Sequence, residues 1–286
     1  MNDAPSPTVF DLFETLYQYY FDFTSCVAIV LINSASLFLQ CRRSTYSTRC
    51  GTLSMLLITF ICYGLFNIPG LVLRALPWDQ RKAIFAQHDQ LVWVAALSPY
   101  LCDQMVSVSG ALLILDRVLI MACPLRYFSR PFSASLGLAV LLLNSVGVLL
   151  FVLLVFFGDR SQLIYDLHNA LKHYVLSCTL AIESLLYGVF LLKVRSFFKH
   201  RANGSAEHRK CHADQIVFFQ MVAHTLLCTI PNALFCVSVN TALGEKVKWL
   251  HYAVAFSEPM FCASVLATSL FTLYRLVPRT SIASIS

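Results

Sequence analysis

The sequence predicts an all-α membrane protein, one seven-transmembrane helix bundle over residues 1–286 with the N-terminus outside and the C-terminus inside. Three observations predict it. Of the 286 residues, 58% are apolar and only 13% charged, where a soluble domain is roughly a quarter charged. The apolar residues gather in continuous runs of about 20, the length that crosses ~30 Å of hydrocarbon at ~1.5 Å rise per residue. Lys and Arg are also unevenly shared between the loops. The mean hydropathy of +0.68, with 22 Phe against 10 Gly, excludes collagen-like, low-complexity and disulfide-scaffold chains. It also excludes nucleic-acid binding as the main activity, despite a net charge of +6.

The apolar runs are 20–40, 51–73, 91–115, 135–157, 174–194, 215–239 and 250–273. The first, fourth and sixth are the cleanest, and Ser135 to Phe157 holds no charge. Asp103, Glu183 and Glu258 interrupt the third, fifth and seventh. Continuous runs mean helices, because a backbone in lipid must satisfy its own hydrogen bonds, and a barrel would alternate in short strands. Residues 1–19 are acidic and aromatic, without the basic-then-apolar pattern of a cleaved signal. The first span is therefore expected to direct its own insertion. No internal repeat stands out, which disfavours an inverted-repeat transporter.

With the N-terminus outside, fourteen Lys and Arg fall on the inside and seven outside. The inner group includes Arg42, Arg117, Arg126, Lys193, Lys199 and Arg275; the outer group includes Arg74, Arg81, Lys172 and Lys248. That bias fits the positive-inside rule and sets a basic rim against anionic membrane lipid. The 195–214 loop then lies inside, so the sequon Asn203-Gly204-Ser205 is a chance match. His208, Cys211 and His212 in the same loop lack a further ligand and read as a solvated basic loop, so no metal site is expected. The eleven Cys lie mostly within spans or at the inner rim, and are expected to pack as small reduced hydrophobes. No nucleophile elbow or phosphate-binding Gly-rich loop is present, so neither catalytic residues nor a cofactor is expected.

The third span ends Leu115-Asp116-Arg117-Val118-Leu119-Ile120-Met121-Ala122-Cys123-Pro124-Leu125-Arg126-Tyr127. This resembles the Asp-Arg-Tyr motif and second inner loop of rhodopsin-like G protein-coupled receptors, with Asp116, Arg117, Pro124, Leu125 and Tyr127 in register and Val118 in place of the motif Tyr. Cys228-Thr229-Ile230-Pro231 is similar to the family's Cys-Trp-x-Pro kink motif without its Trp. There is no Asn-Pro-x-x-Tyr, no acid in the second span, and no Cys about 25 residues before Asp116. These departures and the short tail look more like the nematode serpentine chemoreceptors. Leu-Asp-Arg-Val-Leu-Ile-Met followed by Pro is most similar to their class BC branch. The resemblance implies a small external ligand, a heterotrimeric G protein at the inner face, and a plasma-membrane location, in a sensory cilium for a chemosensory cell. It implies a switch in which Asp116 holds Arg117 at rest, Pro231 is the pivot, and Asp214 is a second candidate tether.

The acids within spans are the other candidates. An ionised carboxylate at mid-bilayer costs about 2.5–3.5 kcal/mol by insertion scales, so each must be neutral, paired or wet. Asp103 lies ~20 Å along the helix from Asp116, and Glu258 sits ~12 Å deep in its span. His224 is the one basic candidate partner near mid-depth. Asp103, Glu183 and Glu258, with Tyr100 and Gln104, are the candidate ligand-binding residues; Ser107, Tyr187 and Asn232 are further polar candidates. Ordinary interhelical hydrogen bonding is the competing role for each.

Two functions follow: a chemosensory receptor with its ligand in the outer half of the bundle, or a transporter or channel using the acids as an ion path. An intramembrane enzyme lacks a constellation. The topology predicts that epitope tags on the two termini label from opposite faces of the membrane. Labelling of both by one impermeant antibody would refute it.

Overall fold

The computed structural model describes residues 9–42, 51–123, 132–157, 176–201, 212–231, 234 and 257–277. Eight α-helices carry nearly all of them: α1 Val9–Arg42, α2 Gly51–Ala75, α3 Trp78–Gln87, α4 Asp89–Ala122, α5 Phe132–Phe157, α6 Leu176–Arg201, α7 His212–His224 and α8 Ser257–Leu276. No strand occurs among the described residues. Five segments are long and apolar enough to cross a membrane: Tyr19–Arg42, Gly51–Ala75, Leu97–Ala122, Phe132–Leu153 and Pro259–Leu276. The chain is a helical membrane protein. α6 and α7 lie over the other two apolar runs.

Alongside an apolar core, burial departs from that of a soluble protein in two ways. Leu141, Leu142, Leu149 and Leu150 of α5 face outward, and Leu185 of α6 is 72% exposed. Asn33, Ser36, Thr59, Ser107, Ser109, Gln220, His224 and Ser269 are buried. Lipid is as apolar as Leu, so Leu gains nothing by hiding, whereas a polar side chain needs a partner and finds it between helices.

α4 is the central helix, packing on α2, α5 and α6, while α2 also packs on α1, and α8 on both α1 and α7. α2 runs antiparallel to α4. Thr59 meets Ser109 at 2.9 Å, and one helix end away the Ser98 hydroxyl donates to the Phe66 carbonyl at 2.9 Å. Asn144 of α5 donates to Ser109 at 3.2 Å, joining three helices through one hydroxyl.

α1 and α8 instead run parallel, in constant register. Asn33 donates to Ser269 Oγ at 2.8 Å. The same offset pairs Cys26 with Cys262, Ile29 with Val265, Ser36 with Thr272, and Gln40 with Leu276, every one of them buried. The alternating steps of three and four are the seam spacing of a parallel coiled coil.

The helix limits differ from the expected spans in four places. α1 starts at Val9, not 20. Asp11 and Glu14 favour a helix N-terminus, and the nearest helix breakers, Pro5 and Pro7, lie before it. The loop after the second span contains α3, a polar ten-residue helix starting straight after Pro77. α4 reaches Ala122 and contains Pro99. Pro99 cannot donate to the Ala95 carbonyl, and the Ser98 hydroxyl reaches that oxygen at 3.3 Å. α6 continues to Arg201 and α7 begins at His212, so both helices enter the expected 195–214 loop.

α7 passes at His224 into a π turn, Thr225–Thr229, and regains α geometry at Ile230 and Pro231. The Ile230 N–H bonds the Thr225 carbonyl, five residues back. A proline removes the bond to the carbonyl four residues before it and crowds that oxygen. The wide turn lies where the Pro231 ring meets the helix, and it accounts for the deformation expected there.

Two glycines set the closest helix approaches. A Cβ at Gly64 would lie 2.6 Å from Val30 Cγ2 and 2.8 Å from the Cys26 carbonyl oxygen. One at Gly70 would lie 2.6 Å from the Ala95 carbonyl oxygen. Gly70→Ala is expected to destabilise the bundle by about 1–3 kcal/mol, since backbone has to move. Gly188→Ala, with nothing within 4 Å of the added carbon, should be neutral or mildly stabilising. Thermal unfolding in one detergent, compared between the two variants, checks this; equal melting temperatures would refute the close approach.

Candidate functional site

The end of the bundle where α4 finishes holds the first polar centre. Asp116 is wholly buried and Arg117 is 3% exposed. Arg117 Nη2 donates to Asp116 Oδ2 at 3.0 Å. The same oxygen accepts from Thr52 Oγ1 at 2.8 Å and from Ser133 Oγ at 3.4 Å. Thr52 is in the first turn of α2 and Ser133 in the first turn of α5. The carboxylate therefore lies at two helix N-termini, whose dipoles favour an anion. Adjacent residues on a helix point about 100° apart, so their pairing depends on Thr52 and Ser133 holding Asp116 still. Removing one partner of such a buried pair leaves an uncompensated charge, typically at a cost of about 3–5 kcal/mol.

Further back along α4, in its first half, is a cavity of about 20 Å³, lined by Asp22, Cys26, Tyr63, Asn67, Gly70, Leu71, Arg74, Pro99, Asp103 and Cys262. That volume suits about one water molecule. Two acids, one guanidinium, a phenol and an amide thus converge between α1, α2, α4 and α8. Tyr63 meets Phe261 of α8 at a tilt, ring centres 5.7 Å apart.

A second buried cluster lies deeper, between α4, α6 and α7. The Tyr187 hydroxyl donates to Glu183 Oε1 at 2.8 Å, and His224 Nδ1 is 3.4 Å from Glu183 Oε2. A Cβ on Gly110 would strike Gln220 Nε2 at 2.8 Å and Glu183 Oε1 at 2.9 Å. The glycine is the space that lets both side chains lie over α4. The His224 ring meets the Phe261 ring edge-on at 5.7 Å.

The candidates named from sequence are thus divided between places. Asp103 lines the cavity. Gln104, one residue on, turns to α6 and accepts from Thr179 Oγ1 at 3.2 Å. Glu183 faces the bundle interior and meets His224, but not the cavity. Ser107 is buried and is not among the cavity-lining residues, although it is four residues from Asp103. Pro231 is buried at the end of the described part of α7. Pro124, Asn232, the 203–205 sequon, His208, Cys211 and the 240–249 loop lie outside the described residues, as do the side chains of Tyr100, Asp214 and Glu258. No group of His, Cys, Asp or Glu among the described residues is arranged to hold a metal ion.

Sequence reasoning missed Asp22, Arg74, Tyr63 and Asn67 at the cavity, and Thr52 and Ser133 around Asp116. Asp22 carried a signal: it continues the three-and-four stripe of Cys26, Asn33, Ser36 and Gln40 along an otherwise apolar span.

No protein-family profile matches the chain, and no curated protein sequence is similar to it.

The Asp116 centre makes a stability prediction. Thr52→Val is expected to lower the unfolding free energy by about 1–3 kcal/mol, because a buried acceptor loses its donor. Thr24→Val, whose hydroxyl bonds its own helix's carbonyls on an exposed face, should change it by under ~0.5 kcal/mol. Denaturation followed in detergent micelles separates the two; equal losses would refute the special role of Thr52.

Proposed function

We propose that the chain is a seven-transmembrane receptor of the rhodopsin-like G protein-coupled type, most similar to nematode serpentine chemoreceptors. In this reading it takes a small external chemical at the Asp103 end and signals to a heterotrimeric G protein at the Arg117 end. One observation carries it: the Asp116–Arg117 pair at the end of α4, buried and fastened to the first turns of α2 and α5. A structural ion pair alone needs no particular position on the chain, whereas a switch has to sit at a helix end with Pro124 following. The parallel run of α1 and α8 supports placing the start of α1 and the end of α8 on opposite faces. Arg42, Arg117 and Arg275 fall at the same end of their parallel or alternating helices, the end assigned to the cytoplasm by positive charge.

In this mechanism the ligand favours a state in which α7 moves away from α4 about the π turn and Pro231. Arg117 leaves Asp116, and a cleft opens for the G protein. Ligand and G protein bind the same state, so each shifts the population towards the other. Asp103, Asp22 and Arg74 would give the ligand both a cation-seeking and an anion-seeking contact. Gln104, Glu183 and Glu258, with Tyr100, remain proposed ligand contacts of the same outer half.

Asp116→Asn keeps the shape but removes the charge that holds Arg117. Basal second-messenger output in cells, at matched surface expression, is expected to rise several-fold, about what a loss of 1 kcal/mol from the resting state gives. Arg117→Ala is expected to abolish signalling. Unchanged basal output in Asp116→Asn with an intact ligand response would make the pair an anchor only. Ligand-driven ion flux surviving in Arg117→Ala would favour a transporter or channel built on the buried acids.

A further inference from the structure

The seam between α1 and α8 contains one layer in which two cysteines face each other. Asn33 and Ser269 fix its register with a 2.8 Å hydrogen bond. Seven residues back along both helices, the register brings Cys26 and Cys262 to the same level, two turns away. Both are free and 2% exposed, and the two thiols lie close enough to act on each other electrostatically. Three observations therefore agree on a facing dithiol: the seam register, the shared burial, and the thiol–thiol interaction. A disulfide needs Cα atoms about 4.4–6.8 Å apart, and residues that face each other at one level of a packed helix seam are the ones placed to meet that requirement.

Access distinguishes this pair from the other buried cysteines. Cys26 and Cys262 both line the cavity that holds Asp22, Arg74 and Asp103, whereas Cys102 and Cys228 are buried without lining it. The cavity admits about one water, and so a molecule of hydrogen peroxide is close to the limit of what reaches the sulfurs. Tyr63, also in the lining, lies beside Cys262.

We propose that Cys26 and Cys262 are a redox modification site, a dithiol that small peroxides entering the cavity convert to a disulfide stapling α1 to α8. In the first step one Sγ attacks a peroxide oxygen and the O–O bond breaks. The departing hydroxide takes the thiol proton as water and leaves a sulfenic acid. The second Sγ attacks that sulfur, the S–S bond forms, the S–O bond breaks, and the hydroxyl leaves with the second thiol proton as another water. Two thiols lose two electrons and one peroxide gains them. The proposal is independent of the receptor reading, since any function that moves α1 against α8 is held by the staple.

The test uses the full-length chain in membranes, with a protease recognition sequence inserted between residues 202 and 211. Cleavage divides α1–α6 from α7–α8. After hydrogen peroxide treatment and blocking of free thiols, the two fragments are expected to migrate together on a non-reducing denaturing gel and to separate after reductant. Cys26→Ser and Cys262→Ser should each lose the joined species, while Cys62→Ser and Cys102→Ser keep it. Peptide mass spectrometry of the wild-type band should show the two cysteines linked. Fragments that separate in the oxidised wild type, sulfinic or sulfonic acid in place of a linked peptide, or a joined species persisting in Cys26→Ser would each overturn the proposal. Unfolding temperatures of the reduced variants, matched to wild type, show that loss of joining is not loss of fold.

Discussion

Hydrocarbon offers no hydrogen bonds, and every polar side chain on these helices has to find its partner inside the bundle. The rest of the architecture follows from that constraint. Ser109 is shared between Thr59 and Asn144, and Asp116 between Thr52, Arg117 and Ser133. These contacts are directional where Leu packing is not. They fix which helix faces which, and at what height. The apolar residues then fill the spaces or turn to lipid, with α5 almost entirely devoted to the second task.

The two polar centres on α4 differ in kind. At Asp116 a charge is balanced by an adjacent cation, hydroxyl donors and two helix N-termini. At Glu183 a phenol, an imidazole and a carboxamide share the carboxyl's surroundings without a fixed cation. The first is a charge-balanced arrangement in this state. The second joins α6 to α7 by a few side chains over a glycine, and α7 has its irregular turn immediately after His224.

The helical membrane character was legible because hydropathy integrates over 20 residues and tolerates local error. The pairing of Asp116 with Arg117 was legible because charges at the end of a span need a partner. His224 stood out as the single basic group available near mid-depth, and the structure sets it beside Glu183. What was not legible depends on rotation about helix axes. Asp103 and Gln104 are neighbours in sequence, yet one faces α1 and α2 and the other α6, since each residue turns the helix by about 100°. Thr52 and Ser133 are ordinary residues until two helix starts converge on one carboxylate. The start of α1 is aromatic but broken by Asp11 and Glu14, and α3 is polar, so both escape a reading that searches for continuous apolar runs.

The π turn of α7 has a consequence for chain length. Such a turn holds one residue more than the α turn it replaces, so Thr225–Thr229 carries a surplus residue that regular geometry would not need. An insertion at any other point of a buried helix would rotate all that follows and bring Leu where Gln or His now sits. Here the extra residue is taken up locally, and Cys228 and Pro231 still face inward. Among the described helices, this is the stretch where losing one residue would restore regular α geometry without turning the rest of the helix. The proline just beyond it favours the longer form.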